Sequence, residues 1–254
     1  MEMTGNTMLI TGGGSGIGRG LAERFGKLGN HVVIAGRRRE TLEEVVRANP
    51  GMAAVTMDVG DAESVKAATK EIEERFPKLS VVIHNAGIMR PENLQGLAEE
   101  TPEAAAMVAT NLLGPMHLTA ALLPLLKKQG KSTVMTVTSG LAFVPLAMTP
   151  TYCATKAGLH SWTESLRWQL RGTGVEVVEL IPPYVQTELM GPAQKVDPRA
   201  MPLQEFLDEV MGILAHGKVA EVGVERVKGM RFAAEGRTYA EVFSGMNEAM
   251  AKVP

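Results

Sequence analysis

Three residues near the middle of the chain carry the chemistry. Tyr152 and Lys156 stand four apart in "YCATK", and Ser139 lies thirteen residues earlier. Positions i and i+4 share one face of a helix, so the phenol and the ammonium can point at one site. A phenol ordinarily titrates near 10, and a neighbouring ammonium favours its ionised form. Such a pair can give a proton to a carbonyl oxygen or take one from an alcohol. A serine hydroxyl can hold that same oxygen. Any surface helix can carry a tyrosine and a lysine at this spacing, so the pair needs support from the rest of the chain. The chain has only three tyrosines.

A second chemical feature opens the chain. "MLITGGGSGIG" (8–18) closes a short apolar run with Gly12, Gly13, Gly14, Ser15, Gly16, Ile17 and Gly18. Glycine lets another group lie against the backbone. The N-terminus of a following helix offers free N–H groups and partial positive charge to a phosphate. The expected guest is a dinucleotide pyrophosphate. The spacing, Gly12-xxx-Gly16-x-Gly18, departs from the commoner G-x-G-x-x-G, and a tight β–α turn with no ligand is the plainer alternative. About 20 residues further on, where an acid would bond a ribose 2′-hydroxyl, the chain has "AGRRRE". Gly36 is followed by Arg37 and Arg38. Guanidinium suits phosphate oxygens, so NADP(H) is the expected cofactor, with NAD(H) as the lesser one.

The elements that must position these residues alternate along the chain. Strands are expected at 6–11, 31–36, 52–59, 79–87, 132–139 and 174–182. Helices are expected at 17–28, 40–48, 62–76, 102–112, 115–129, 151–171 and 202–216. The strands are apolar and β-branched without polar alternation, as in a parallel sheet covered on both faces. The expectation is a single-domain α/β Rossmann-type fold over 1–254, a doubly wound parallel sheet of six or seven strands with helices on both faces. Residues 183–201 read as an irregular loop rich in proline. The region 188–216 is expected to hold substrate, and 221–227 read equally as a short strand or a helical turn.

Composition bounds the partners. The 254 residues are 45% hydrophobic with a net charge of −2, and the pI is about 6.2. Nothing there suggests nucleic acid. No signal peptide or membrane-spanning run is evident, and Cys153 is the only cysteine. A cytoplasmic protein is expected. The histidines lack metal-ligand spacing, and no metal is expected. Cys153 reads as a packed thiol. "KEIEERF" (70–76) reads as a solvated helix face. The 16 methionines read mostly as core, although Met89, Met148, Leu189 and Met190 stand beside the expected site.

With "TGGGSGIG" (11–18), "MDV" (57–59), "NAG" (85–87), Asn111, Ser139, "YCATK" (152–156) and "IPPYVQT" (181–187) in this order, the chain resembles the short-chain dehydrogenases/reductases. The resemblance spans residues 6 to about 190. "AGRRRETL" and the stretch 202–214 resemble the bacterial DltE-like oxidoreductase branch. The resemblance implies a carbonyl/alcohol oxidoreductase acting on a small molecule, and a homodimer or homotetramer. It implies that Asp58 and Val59 flank the adenine, and that Asn85, Ala86 and Gly87 line the cofactor cleft. Asn111 would perturb its helix and hold a water in a proton relay toward Lys156. Ser139 would orient the carbonyl and Tyr152 would transfer the proton. Lys156 would bond the nicotinamide ribose and lower the Tyr152 pKa. Pro182, Val185 and Thr187 would meet the nicotinamide end. Pro183 stands where the family often has glycine. Ser15 stands where many NADP enzymes carry a basic residue. A catalytically idle nucleotide sensor on the same fold is the alternative, and the intact Ser139, Tyr152 and Lys156 set argues against it.

Overall fold

A computed structural model describes residues 1–96, 102–217 and 219–251. Its seven strands form one parallel sheet in the order β3-β2-β1-β4-β5-β6-β7. They are β1 (Thr7–Thr11), β2 (His31–Gly36), β3 (Ala53–Thr56), β4 (Leu79–His84), β5 (Ser132–Val137), β6 (Val175–Ile181) and β7 (Glu221–Gly223). From β1 the chain builds outward to β3, then crosses back and builds the other way from β4. That reversal makes the switch point between β1 and β4, where Leu9 pairs with Val82 and Ile10 with Ile83.

Period-two alternation sends successive strand residues to opposite faces. Met8 and Ile10 join Leu21, Phe25 and Phe206 in one buried cluster. Leu9 joins Ile72, Leu118 and Leu122 in another on the opposite face. The first face is covered by α1 (Gly16–Lys27), α2 (Arg39–Ala48) and α7 (Leu203–Ala215). The second is covered by α3 (Ala62–Arg75), α5 (Gly114–Lys128) and α6 (Pro150–Gln169). Both faces are apolar because both are covered, which is why the strands show no polar alternation. Burial on both sides by side chains such as these, each contributing roughly 1.5–3 kcal/mol, holds the layers together.

The expected elements exist, with altered ends. β3 stops at Thr56, and Met57, Asp58 and Val59 leave the sheet; the Asp58 N–H turns to Ser64 Oγ at 2.9 Å. β4 stops at His84 because Asn85 donates its N–H to Thr11 Oγ1, 3.0 Å away. The helix expected over 102–112 is α4 (Pro102–Val108), followed by a π-helical turn at Ala109–Leu113. The segment 221–227 combines both readings, with strand β7 and then a 3-10 turn at Glu225–Val227. Within the proline-rich loop, a 3-10 turn spans Pro192–Val196, and Val185 forms an isolated bridge to Met201. Two further helices follow, α8 (Lys228–Arg231) and α9 (Tyr239–Ala251). The stretch Glu103–Lys128 is long and apolar enough for a membrane span by length and composition. Here its α5 portion buries Leu118, Leu122, Leu125 and Leu126 in the core.

Candidate active site

The site lies at the carboxyl ends of the strands, on both sides of the switch point, where open parallel sheets hold their ligands. β1 ends at Thr11, and Gly12 turns the chain with φ +67°. A Cβ there would sit 2.9 Å from the Ala86 backbone, so both conformation and space require glycine. Gly18 lies in the first turn of α1 (Gly16–Lys27). A Cβ on it would sit 2.4 Å from Gly12 O, and its absence lets α1 close onto the loop. α1 begins at Gly16 with Ser15 as N-cap, makes no side-chain cap bond and has no acid in its first turn. Its leading N–H groups therefore remain suited to an anion.

Thr11 and Asn85 tie this loop to β4. Asn85 Nδ2 donates to Thr11 O at 3.0 Å and to Gly12 O at 3.3 Å. Thr11 Oγ1 accepts from the N–H groups of both Asn85 and Ala86 at 3.0 Å. Asn85 thus supports the loop from behind. Thr11 was not singled out in the sequence, although a hydroxyl ending the strand before a glycine turn was the available signal.

An open cleft with a cavity volume of about 170 Å³ lies above these residues. Gly12, Gly14 and Ser15 line it on one side, Arg37, Arg38, Asp58 and Val59 on another, and Ala86 and Gly87 on a third. Arg37 Nη1 stands 3.9 Å from Asp58 Oδ2, and both side chains are exposed enough to reorient. Thr41 and Thr110 also line the cleft; no motif marked them. Of the other expected cofactor residues, Gly16 faces Thr187, whose Cγ2 would lie 3.5 Å from an added Cβ. Pro182 and Val185 are buried. Pro182 O accepts from Gly140 N at 2.9 Å, and Val185 O accepts from Gln194 Nε2 at 2.8 Å. These two bonds set the course of the loop after β6. Ile17 lies one residue past Gly16 in the first turn of α1.

Beyond Gly87 lies the second half of the site. Ser139 follows β5, and its Oγ accepts from Leu141 N at 3.1 Å. Tyr152 and Lys156 sit on α6, both almost wholly buried. The Tyr152 hydroxyl lies close enough to Ser139 for that residue to act on its titration. The Lys156 ammonium lies 5.6 Å from the centre of the Tyr152 ring and donates to Val137 O at 2.8 Å. A Cβ on Gly87 would lie 3.8 Å from Lys156 Nζ, so the ammonium borders the cleft floor. Burial pushes the Lys156 pKa down to about 8. Burial also pushes the Tyr152 phenol above its usual range, against the opposing pull of Ser139. The expected lowering of the phenol by Lys156 is therefore not produced by the chain's own groups. Desolvation dominates, because burial disfavours the charged phenolate.

Asn111 is fully buried in the π turn. Its Oδ1 accepts from Ile88 N, and its Nδ2 donates to Ile88 O, both at 2.9 Å. Nδ2 also reaches Thr155 Oγ1 at 3.2 Å. The helix is perturbed as expected, and the extra residue turns Asn111 toward the 85–88 turn. Its amide is engaged with Ile88 and Thr155, so it braces that turn against α6. Glu92 was missed as well. Its carboxylate accepts from Thr151 N at 2.9 Å and Thr151 Oγ1 at 2.8 Å. It thereby caps the helix that bears Tyr152, favourably for a carboxylate at a helix N-terminus.

Comparison with known proteins agrees with this geometry. Residues 6–197 match the family described as short chain dehydrogenase. The chain is 40% identical to the uncharacterized oxidoreductase DltE of Bacillus subtilis (strain 168) over 250 residues, 97% of this chain and 98% of that protein. Its structure resembles that of a short chain dehydrogenase from Burkholderia cenocepacia J2315 in complex with NADP, with TM-score 0.81 and 26% identity over 100% of both chains. It also resembles an alcohol dehydrogenase from the archaeon Thermococcus sibiricus complexed with 5-hydroxy-NADP. There the TM-score is 0.77 and the identity 26%, covering 86% of this chain and 95% of that one.

Proposed function

The chain belongs to the short chain dehydrogenase family of oxidoreductases, and from that premise we propose that it interconverts a carbonyl and an alcohol with NADP(H), Tyr152 moving the proton. The carrying observation is the buried Tyr152 phenol with Ser139 and the Lys156 ammonium beside it, next to Gly87 on the lining of the cleft at the switch point.

The residues present fit a dinucleotide. A glycine-lined cleft floor, an uncapped helix N-terminus and two arginines at the end of β2 offer backbone donors and positive charge where two phosphate groups would need them. Gly12, Gly14, Ser15 and Gly16 would hold the pyrophosphate. Arg37 and Arg38 would hold a 2′-phosphate, Asp58 and Val59 the adenine. Ala86 and Gly87 would form the floor with Asn85 holding the loop behind it, and Thr187 would meet the carboxamide end. NAD(H) lacks the 2′-phosphate and is the weaker ligand on this reading. When bound, the nicotinamide supplies or accepts the hydride.

The chain's own residues do the rest. Ser139 and Tyr152 converge on one oxygen, so a carbonyl placed there is polarised by two hydroxyl donors. In reduction, Tyr152 gives its proton to that oxygen as negative charge develops. In oxidation, it removes the alcohol proton. A phenol held protonated by burial suits the acid role. The Lys156 ammonium offsets the charge left on Tyr152, at the short range where a poorly solvated site strengthens it. Asn111 and Glu92 keep the 85–88 turn and α6 in register. Tyr152→Phe, assayed against a panel of ketones and aldehydes with NADPH, should lower kcat at least a thousandfold and leave the NADPH Kd within about twofold. Substantial residual turnover would refute the assigned proton donor. Tight NADPH binding by the unaltered protein with no turnover of any carbonyl or alcohol would favour a nucleotide sensor instead.

A further inference from the structure

A third buried apolar cluster stands apart from the two that hold the sheet. Its members come from loops at the carboxyl ends of the strands, from α4 and α6, and from the C-terminal helix. Met89 follows β4, Leu141 follows β5, and Leu146 and Met148 precede α6. Met190 follows β6, and Met246 lies on α9. Tyr152, the residue whose hydroxyl must meet a substrate, is itself a member of the cluster. This is the edge where open parallel sheets bind ligands, and no strand depends on the cluster for its burial.

The lining has a definite chemistry. It is thioether and hydrocarbon, with Tyr152 and Cys153 as its polar members. The thiol is already engaged, accepting from Leu146 N at 3.3 Å and donating to Leu146 O at 3.6 Å. Lys156 is turned to Val137 O. Arg90, next to Met89, is likewise turned to the Met89 carbonyl at 2.9 Å, and an anionic head group placed among these apolar side chains would be desolvated at heavy cost. A hydrocarbon chain would exchange water for thioethers, and unbranched methionine side chains can move to admit it.

α9 belongs to this wall. Asn247, next to Met246, donates through Nδ2 to Pro145 O at 3.2 Å, and its Oδ1 accepts from Ala147 N. These two bonds pin the helix to the loop that bears Leu146 and Met148. The sequence motifs end before this region, so nothing in them marks Met246.

Building on the oxidoreductase reading, we propose that the substrate is an uncharged carbonyl compound with a hydrocarbon chain, and that Met246 on the C-terminal helix limits that chain's length. The carbonyl oxygen lies on Ser139 and Tyr152, and the chain displaces the methionines beneath α9.

Calorimetric titration of the NADPH-loaded protein with linear primary amides, from propanamide to decanamide, tests this without turnover. Affinity should rise about three- to fourfold per added methylene, the transfer free energy of one CH2 expressed as a ratio, up to a limiting length. Carboxylates of equal length should bind at least tenfold more weakly. Met246→Trp should shorten the limiting length and Met246→Ala should extend it, with the NADPH Kd unchanged in both. Affinity that ignores chain length, a preference for carboxylates, or a limit unmoved in both variants would overturn the proposal. Kinetics on the unaltered protein separate the two readings. Turnover of charged oxo acids in preference to 2-alkanones defeats only the apolar pocket. Graded amide binding with no turnover of any carbonyl defeats the oxidoreductase reading and leaves the pocket standing.

Discussion

Tyr152 and Lys156 share one buried pocket, and burial acts on them in opposite senses. It holds the phenol protonated and loosens the proton on the ammonium, down to about 8. Below that value Lys156 is charged and can offset the charge left on Tyr152. Above it the charge is lost. The kcat/KM for carbonyl reduction should therefore fall as pH rises through about 8, as seen in a steady-state profile at saturating NADPH. Lys156→Met should lower activity at least a hundredfold and remove that limb. A profile flat to pH 10 would mean that the ammonium is not in use. The arginines at the end of β2 make a separate claim. Arg37 is exposed beside Asp58, free to meet a phosphate. Arg37→Asp should cut kcat/KM for NADPH about tenfold or more, roughly 1.4 kcal/mol, with little change for NADH. Equal losses with both cofactors would count against the 2′-phosphate assignment.

Elements carry these residues to one place through a small number of buried polar joints. Thr11 and Asn85 lock β1 to β4, Asn111 locks the π turn to the 85–88 turn, and Glu92 caps α6. A fourth joint sits behind Ser139. Glu179 on β6 is fully buried. It accepts from Thr138 Oγ1 at 2.6 Å and pairs with His160 Nδ1 at 2.9 Å. The hydrogen bond to Glu179 raises the His160 pKa against the pull of burial; Glu164 adds to the rise and Arg231 opposes it. A histidine with a raised folded pKa stabilises the fold fully below its ordinary value near 6.5 and loses that contribution as pH rises through the folded value. Glu179→Gln should thus cost about 1–3 kcal/mol at pH 6 and clearly less at pH 9, measured by urea unfolding. An equal cost at both values would show that the histidine's charge plays no part.

At the scale of the whole molecule, the cleft divides the strands that build outward to β3 from those that build toward β7. A ligand spanning it touches both groups and binds only the folded chain. At a hundredfold excess over its Kd, NADPH should add about 2.7 kcal/mol, raising Tm by about 5–10 °C. NADH at the same concentration should raise it less, as differential scanning calorimetry would record. Equal shifts would remove the cofactor preference.

The order of elements, the two-sided burial of the sheet, the glycine turn and the Ser139, Tyr152 and Lys156 set were legible in the sequence. Each rests on local spacing: period two in strands, four residues in a helix, glycine where a side chain has no room. The bracing by Asn111 and Glu92, and the place of Met246 in the third apolar cluster, were not. Those depend on contacts between segments far apart in the chain, and residue type does not specify such a partner. The state of Tyr152 belongs to the same class. Spacing brings an ammonium near the phenol, but the degree of desolvation is set by everything packed around both, and that decides which way the proton is held.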